Sequence, residues 1–524
     1  MLEIINLQDL MDYGEKFLSK YFLLLPNDII IEIIKGLPPK AIEFFMNSNL
    51  FEPPVYDEFI GCIQILRCGD QNAYVSAKVN NTWILLDHIS DNYSPRVVNI
   101  EGTTHDVSKY IIDNFDYFKL LNDIRLVLTV DLKDPPNITI SKKLTQLSNL
   151  TSVTIKFYLL EDLQYISPTF SNCNDLQKFS QTLGKPQNLN HICENLPLSI
   201  YGLKFSKVFQ LTKFNHFTNL KSLHINLESF TSLVTFPSTL EDVSFIRCNF
   251  YHDDARIPHW PAGLKTIHIE ECSNISWKQN VSIYEWPVNL QKLIIIKSGL
   301  EKLPVGALPS CLVHLEINEM GGKRVVLSDS SNLQIEFPES LTTLKLENVI
   351  LYNEGFVQFP PKLIHLTVSR SVFSLCYSIF PPTLEYLKLD SDGIIDLAIY
   401  ENEKMNKDWY QLINLKQLIL SNNSIGYNGI EGWLPPPNVQ YLDLSYNGIR
   451  QLSINLFKPI AKHYTKELEH IDISHCDIGS LSRDFYLPDN IKSIYVKCQC
   501  ADFNNLQKKI DNLIYSQRKA NLRV

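Results

Sequence analysis

The histidines of this sequence are the residues whose spacing first points to chemistry. Five of them stand in short segments that alternate apolar and polar residues: His224, His268, His314, His365 and His470. Imidazole is a common metal ligand and changes its charge near neutral pH, so such a row could hold a metal or sense pH. The five occupy two different positions of the segment, and adjacent segments mostly lack a second ligand. We therefore expect solvated histidines and no metal site.

No other motif groups residues for catalysis. The sequence has no P-loop, no GxGxxG after a strand, no GxSxG and no HExxH, and Cys498-Gln-Cys500 is a lone pair of cysteines without a second pair. We expect a protein that is not an enzyme and that needs no cofactor. A hydrolase hidden in residues 60–135, where the pattern is hardest to interpret, is the alternative from the enzyme class.

Composition and charge exclude several other classes. The chain has 524 residues, of which 45% are apolar and 20% charged, as in folded proteins. Its net charge is −9 and no dense basic run precedes the last twenty residues, which argues against nucleic-acid binding. No stretch reaches the roughly 18 apolar residues of a membrane span, and the N-terminus does not resemble a secretory signal. The 11 scattered cysteines indicate reduced thiols, so we expect a cytoplasmic or nuclear protein.

One phrase recurs over most of the chain and is stated twice in succession between Phe359 and Asp390, as FPPKLIHLTV and FPPTLEYLKL. It consists of an aromatic residue or leucine, proline, two variable residues, leucine, two variable residues, leucine, one variable residue and an aliphatic residue. Aligned on its first leucine-type position, mostly 20 to 31 residues apart, the copies begin at Leu150, Ile200, Leu220, Leu240, Leu264, Leu290, Leu312, Leu341, Leu363, Leu384, Leu415, Val439, Leu468 and Ile491.

This array resembles leucine-rich repeats, most closely in VQYLDLSYNGI at residues 439–449. The resemblance implies an α/β solenoid, a leucine-rich-repeat horseshoe whose parallel sheet lines the concave face. The residue pattern agrees, because Leu387 and Leu389 alternate with polar neighbours as in a strand with one buried face. Stacked units would bury these leucines in one continuous core.

Two further positions of the repeat are assigned to the fold. The position that holds Asn423 and Asn447 typically bonds the backbone as the chain leaves the strand. Cysteines occupy it in other copies, at Cys248, Cys272 and Cys476, and we interpret them as structural thiols. The aromatic residue before each proline is held extended, and its even spacing predicts a row of rings in the core.

The polar residues between the buried strand positions should face a protein partner on the concave side of the sheet. The candidates are His268, Glu270, His314, Glu316, Lys345, Glu347, His365, Tyr386, Lys388, Asp390, Tyr441 and Asp443.

A proline-bounded helical segment at residues 25–45 precedes the array. Pro26 suits a helix start, the isoleucines that follow have helical spacing, and Gly36 with two prolines ends the helix. The segment resembles an F-box, although the Cys-Arg-x-Trp-like ending is missing. The resemblance implies docking on a Skp-type adaptor of a cullin–RING ubiquitin ligase through Leu25, Pro26, Ile29, Ile33 and Leu37, with the substrate held by the repeats.

The resulting hypothesis is a non-catalytic substrate receptor, a monomer within a larger complex, that binds proteins and neither nucleic acid nor membrane. The alternative is a leucine-rich-repeat scaffold or regulatory protein without a ubiquitin ligase, in which the N-terminal helices only cap the array. The expected domains are a helical F-box-like region (1–60), a mixed α/β connecting segment (61–135), the solenoid (136–500) and a C-terminal capping helix (501–524).

Overall fold

A computed structural model of the chain describes most of the repeat strands and the turns next to them. The described residues are 25–37, 39–46, 53–60, 62–66, 74–79, 82–86, 95–131, 142–158, 196, 198, 200–206, 214, 217–226, 229–230, 235–250, 260–275, 286–305, 308–319, 324–328, 335–351, 357–372, 375, 378–397, 409–426, 433, 435–452, 467–476, 478, 480–481, 490–497, 508, 511–512 and 515.

Two compact units divide the chain, residues 1–242 and 243–524, and each is described by itself below. The five α-helices whose bounds the structure describes lie in the first unit. They are α1 (Asn27–Lys35), α2 (Pro39–Met46), α3 (Pro53–Ile60), α4 (Thr104–Asp113) and α5 (Phe115–Leu120). In the described part of the chain, no helix has the length and apolar character that a membrane crossing requires.

The strands are short and numerous. Those of the first unit are β1 (Cys62–Leu66), β2 (Tyr74–Val79), β3 (Thr82–Leu86), β4 (Val97–Thr103), β5 (Ile124–Asp131), β6 (Leu150–Tyr158), β7 (Gly202–Ser206), β8 (Ser222–Asn226) and β9 (Ser229–Phe230).

The second unit continues from β10 (Asp242–Ile246), whose first residue belongs to the first unit, to β11 (Asn249–Phe250), β12 (Thr266–Glu270), β13 (Lys292–Ile296), β14 (Lys302–Pro304), β15 (His314–Asn318), β16 (Val325–Ser328), β17 (Ile335–Glu336), β18 (Thr343–Glu347), β19 (Val349–Ile350), β20 (Val357–Gln358), β21 (His365–Ser369), β22 (Ser378–Ile379), β23 (Tyr386–Asp390), β24 (Gln417–Ile419), β25 (Tyr441–Asp443), β26 (Gln451–Leu452), β27 (His470–Asp472), β28 (Ser480–Leu481) and β29 (Ser493–Tyr495).

In the first unit a small antiparallel sheet leads into a parallel one. Strands β2 and β3 pair antiparallel, with Val79 beside Thr82. Strand β1 pairs antiparallel with β2 and parallel with β4, and β4 to β8 then follow one another in parallel register. The change from antiparallel to parallel pairing therefore occurs at β1.

Helix α4 is capped at its N-terminus by a side chain. The helix starts at Thr104, and Oγ1 of Thr103 accepts the backbone N–H of Asp106 at 3.2 Å. Thr103 is therefore the cap, and Asp106 lies in the first turn, where its negative charge interacts favourably with the helix dipole. Asn114 separates α4 from α5.

The N-terminal helix α1 has two apolar edges with different environments. Ile30 and Ile34 are buried, at 2% and 0% exposure, whereas Ile29 and Ile33 are 44% and 42% exposed. The Nζ atom of Lys35 lies 2.9 Å from Oε1 of Glu58 on α3 and links the two helices. One side of α1 is thus buried in the fold, and the other side is exposed to solvent.

The second unit is built from the repeats. Its long parallel strands, β12 through β29, pair without a register shift, so that each leucine stands beside a leucine-type residue of the next repeat, as Leu344 does beside Leu366. The second unit is therefore a parallel β-solenoid, as leucine-rich repeats predict. Every residue at the aligned first position is buried, from Leu150 through Ile491. The predicted repeat core is confirmed.

Proline sets the turn that enters each strand. In many repeats its carbonyl accepts the backbone N–H of the leucine three residues later, as Pro261 does from Leu264 at 3.1 Å and Pro360 does from Leu363 at 3.1 Å. A turn closed in this way requires the fixed spacing of proline, two variable residues and leucine. The recurring phrase therefore specifies a turn as well as a core position.

Three of the aromatic residues before prolines form a row in the core, as predicted. Phe337, Phe359 and Phe380 are stacked with ring centroids 6.1 and 5.3 Å apart and with planes tilted by 7° and 10°. Trp409 and Trp433 extend the row at centroid distances of 6.4 and 5.7 Å. All five side chains are at most 9% exposed.

A second row, which we call the turn ladder, follows the strands. Its members stand eight residues after the first aligned position of their repeats: Cys248, Cys272, Ser298, Ser371, Asp392, Asn423, Asn447 and Cys476. In much of the ladder, the backbone N–H of one member donates to the side chain of the next, as Asp392 does to Oδ1 of Asn423 at 3.0 Å. The Sγ atom of Cys272 accepts from Cys248 at 3.4 Å in the same way. The cysteines are structural thiols, as predicted.

The predicted C-terminal capping helix lies almost wholly outside the described residues. Lys508, Asp511, Asn512 and Tyr515 are the described positions of that segment, and all are helical and exposed. The cap, the F-box assignment and the domain boundaries stay predictions.

Candidate functional site

The candidate site is the side of the parallel sheet in the second unit that faces away from the leucine core, which we call the outer sheet face. The aligned registers arrange its side chains in three rows. The first row holds Thr266, Lys292, His314, Thr343, His365, Tyr386, Gln417, Tyr441, His470 and Ser493. The second holds His268, Ile294, Glu316, Lys345, Thr367, Lys388, Ile419, Asp443, Asp472 and Tyr495. The third holds Glu270, Ile296, Asn318, Glu347, Ser369 and Asp390.

All twelve residues predicted for the partner-binding face occur in these rows. Eleven of them are half-buried or exposed, although Nε2 of His268 and Nε2 of His314 are themselves buried. Asp390 differs, because it is only 8% exposed. Its Oδ1 accepts hydrogen bonds from Oγ of Ser421 at 2.6 Å and Nδ2 of Asn422 at 2.9 Å. Burial opposes its ionisation, but these two hydrogen bonds lower the pKa of Asp390 below its usual value.

Carboxylates in the first strands of the face are matched by basic groups. Nε2 of His314 lies 3.4 Å and Nζ of Lys345 lies 3.2 Å from Oε2 of Glu316. The hydrogen bond from His314 and the charge of Lys345 hold the pKa of Glu316 below its usual range. Nη1 of Arg370 lies 2.8 Å from Oε1 of Glu347. This end of the face is electrostatically balanced.

The last strands of the face carry carboxylates that have no basic partner among the described residues. Asp443 on β25 stands directly beside Asp472 on β27. Oδ1 of each accepts a backbone N–H two residues ahead, from Ser445 at 2.8 Å and from Ser474 at 2.9 Å. Burial, and then the charges of Asp472 and Asp390, raise the pKa of Asp443 above its usual value. This end of the face is acidic.

Three isoleucines interrupt the polar rows and were missed from the sequence. Ile294 and Ile296 on β13 and Ile419 on β24 point to the outer sheet face and are half-buried. The run of isoleucines in β13 looks like an ordinary buried strand, so only the register shows which of them face outward. Apolar residues within a polar surface are common anchor points for a protein partner.

The residue seven positions after the first aligned position has a left-handed backbone in many repeats. Non-glycine residues with φ between 46° and 60° occupy it: Arg247, Glu271, Lys297, Asn348, Arg370, Ser391, Asn422, Tyr446 and His475. Their side chains meet across repeats, as where Glu271 contacts both Arg247 at 2.8 Å and Lys297 at 3.0 Å. The residue types at these positions do not predict the left-handed conformation, since bulky side chains rarely adopt it.

The histidines do not come together as a metal site. His314, His365 and His470 lie in the first row, His268 lies in the second, and no two of these stand on adjacent strands at the same position. Within the described ranges, no group of three or more potential ligands could hold a metal ion.

No protein-family model and no curated protein matches this chain. The solved structures that are similar to it include the following two. One is the glycosylated Toll–Spatzle complex, described as a molecular hub in Drosophila development and innate immunity. It is 16% identical with a TM-score of 0.38 over 82% of this chain and 66% of that chain. The other is CroV588, described as a novel circular LRR protein, which is 12% identical with a TM-score of 0.26 over 74% of this chain and 68% of that chain. The repeat fold is established here by the strands and registers of this chain itself.

Proposed function

We propose that this chain is a non-catalytic scaffold that binds a protein partner on the outer sheet face. One observation carries the proposal: the two sides of the same strands have opposite character. In β18, Leu344 and Leu346 are fully buried, while Thr343, Lys345 and Glu347 face outward beside different residues of the neighbouring strands. The leucines form the core, so core packing does not constrain the outward residues, and these can differ between repeats. A solenoid of this kind is typically a binding scaffold, because it presents such a surface on a rigid frame.

The test of this function is the loss of partner binding without loss of stability. In a capture experiment with the full chain as bait, we expect His365→Glu combined with Lys388→Glu to remove the bound partner. The thermal midpoint should stay near that of the wild type, because neither side chain is buried. Val288→Glu combined with Ile413→Glu is the matched control, since both residues are exposed in turns away from the face. Equal loss in the control would contradict the proposal.

The finer proposal is that α1 docks on a Skp-type adaptor, so that the chain serves as a substrate receptor of a cullin–RING ubiquitin ligase. Its support is an apolar edge that the fold leaves open. Leu25, Ile29 and Ile33 are 37%, 44% and 42% exposed. Pro26 is also exposed and Leu37 is half-buried. An open apolar helix edge is a usual way for a helix to enter a groove on a partner.

Co-purification with a Skp-type adaptor tests this docking. The wild type should retain the adaptor, and Ile29→Lys combined with Ile33→Lys should lose it. Asp28→Asn combined with Glu32→Gln is the control, because it alters net charge by the same two units on the same helix and leaves the apolar edge intact. Absence of adaptor from the wild-type sample would remove the ligase proposal and favour a scaffold or regulatory protein whose N-terminal helices only cover the array.

We also propose a reducing compartment, the cytoplasm or the nucleus. Its support is that the five described cysteines are free thiols: Cys62, Cys248, Cys272, Cys311 and Cys476. Cys248, Cys272 and Cys476 are buried as members of the turn ladder, where their sulfur atoms form hydrogen bonds with the backbone. Fluorescence microscopy of the tagged full chain tests the compartment, and secretion of the protein into the medium would contradict it.

A further inference from the structure

The acidic end of the outer sheet face contains a pair of like charges that the fold does not need. Asp443 and Asp472 are neighbours on adjacent parallel strands, which lie about 4.8 Å apart. Like charges placed directly side by side on a sheet are destabilising. Each aspartate caps its turn through Oδ1, but an asparagine would accept the same backbone N–H without the repulsion. The turns therefore explain why each position holds a short side chain with an acceptor oxygen. They do not explain why that side chain is charged.

Three glutamates of the same unit differ from this pair. Glu271, Glu316 and Glu347 each have a lysine or arginine within 3.2 Å. Among the described residues, neither Asp443 nor Asp472 has a basic side chain within ion-pairing distance. Within the described residues, the two negative charges of this surface are therefore unpaired.

Aromatic rings stand around the pair. Tyr495 is in register with Asp472 and is 53% exposed, and Tyr441 begins the strand that Asp443 ends. At the end of the same strands, the ring of Tyr446 stacks on His475 with centroids 4.1 Å apart and planes tilted by 8°. Tyr446 and His475 have φ values of 53° and 57°, a conformation that is strained for bulky residues. Tyr446 and His475 are both exposed, so they add aromatic surface at the end of these strands.

We propose that the surface of Tyr441, Asp443, Asp472 and Tyr495 binds the arginine or lysine side chains of a basic, extended segment in a partner protein. This inference rests on the proposed function and names the chemistry of its partner. Carboxylates bind the cationic head with charge-assisted hydrogen bonds, and tyrosine rings attract the same cation through their faces. Alternate side chains of an extended segment point the same way and lie about 7 Å apart. This matches the spacing of Tyr441 and Asp443, which stand two residues apart on one strand.

Fluorescence anisotropy of the full chain with a labelled peptide of alternating arginine and serine tests the inference. The wild type should bind this peptide and should not bind its counterpart with glutamate in place of arginine. Asp443→Asn combined with Asp472→Asn should weaken binding roughly tenfold, since two charge-assisted contacts are lost. The thermal midpoint should not fall, because the amide oxygens keep the two backbone hydrogen bonds.

The matched control is Glu336→Gln combined with Glu339→Gln, which changes the net charge equally at two exposed positions outside the face. We expect less than about a threefold change in affinity from this control, as surface charges away from a contact contribute little. Equal weakening in both variants would overturn the inference, because net charge alone would then explain the binding. A wild type that does not bind the arginine peptide would overturn it as well. If the captured partner is lost on changing His365 and Lys388 but kept on changing Asp443 and Asp472, this inference fails and the proposed function stands.

Discussion

The repeat array should become less stable as the pH rises from about 4 to about 7, because Asp392 then loses its proton. The substitution Asp392→Asn should remove this pH dependence of the stability. Asp392 occupies the turn ladder, where Asn423 and Asn447 stand in the repeats that follow. Oδ1 of Asp392 accepts the backbone N–H of Ser371 at 2.8 Å, whereas its Oδ2 is buried without a hydrogen-bond partner. Burial of the carboxyl, aided by the nearby charge of Asp390, raises the pKa of Asp392 to about 7.

The sign follows from the two protonation states. The folded chain holds the proton up to about pH 7, whereas the unfolded chain releases it near the ordinary value of 3.8. The folded state is therefore favoured at low pH and loses this advantage as the pH rises from about 4 to about 7. The shift corresponds to about 4 kcal/mol in total, of which roughly 3 kcal/mol falls between pH 5 and pH 8.

An asparagine at this position should behave as Asn423 does. The Oδ1 atom of Asn423 accepts from Asp392 at 3.0 Å, and its Nδ2 donates to the carbonyls of Leu389, Leu420 and Ser421 at 2.8 to 3.0 Å. An ionised aspartate can accept but cannot donate, so the substitution Asp392→Asn should raise the stability at pH 8 much more than at pH 5.

Urea denaturation at both pH values measures this effect, supported by hydrogen exchange of fragments that contain residues 366–397, since long repeat arrays need not unfold in one step. Asn423→Asp is the matched control and should introduce the same kind of pH dependence. An unchanged difference between pH 5 and pH 8 in Asp392→Asn would refute the assignment of the titration to this residue.

Three further changes test the fold. Phe359→Ala removes a ring stacked between two others and should cost about 3–5 kcal/mol, seen as a lower urea midpoint; a loss under about 1 kcal/mol would contradict its place in the core. Gly299→Ala should lower the free energy of unfolding by about 1 kcal/mol, because Gly299 has a φ of 72° and nothing lies near the added methyl group. A neutral result by the same assay would contradict that conformation. Ile30→Lys should unfold the N-terminal helices in circular dichroism, while Ile29→Lys should leave them intact; equal effects would contradict the orientation of α1.

The repeat core could be predicted from the sequence because it depends on local spacing that recurs. The position of Leu363 in its phrase is enough to place it in the core, since the strand period and the turn at Pro360 are both short-range. The same holds for the row of rings, of which Phe359 is a member. Repetition added strength to each of these assignments, as one copy alone would be compatible with an ordinary strand.

The electrostatics of the face could not be predicted, because they depend on which residues become neighbours across repeats. Glu316 and Asp443 look alike in the sequence, yet register places Lys345 beside the first and Asp472 beside the second. The left-handed conformation of Tyr446 is likewise imposed by the turn between strand and ladder and opposes its residue preference. Sequence reasoning found the rows and missed the charge imbalance within them.

The most direct test of partner binding on the outer sheet face is site-specific photo-crosslinking in cells that express the full chain. A photoreactive residue is placed at Lys388, in the second row, or at Ile413, which is exposed in a turn away from that face. The proposed scaffold predicts a discrete crosslinked partner at position 388 and none at position 413. A partner captured at 413 and not at 388 would contradict it.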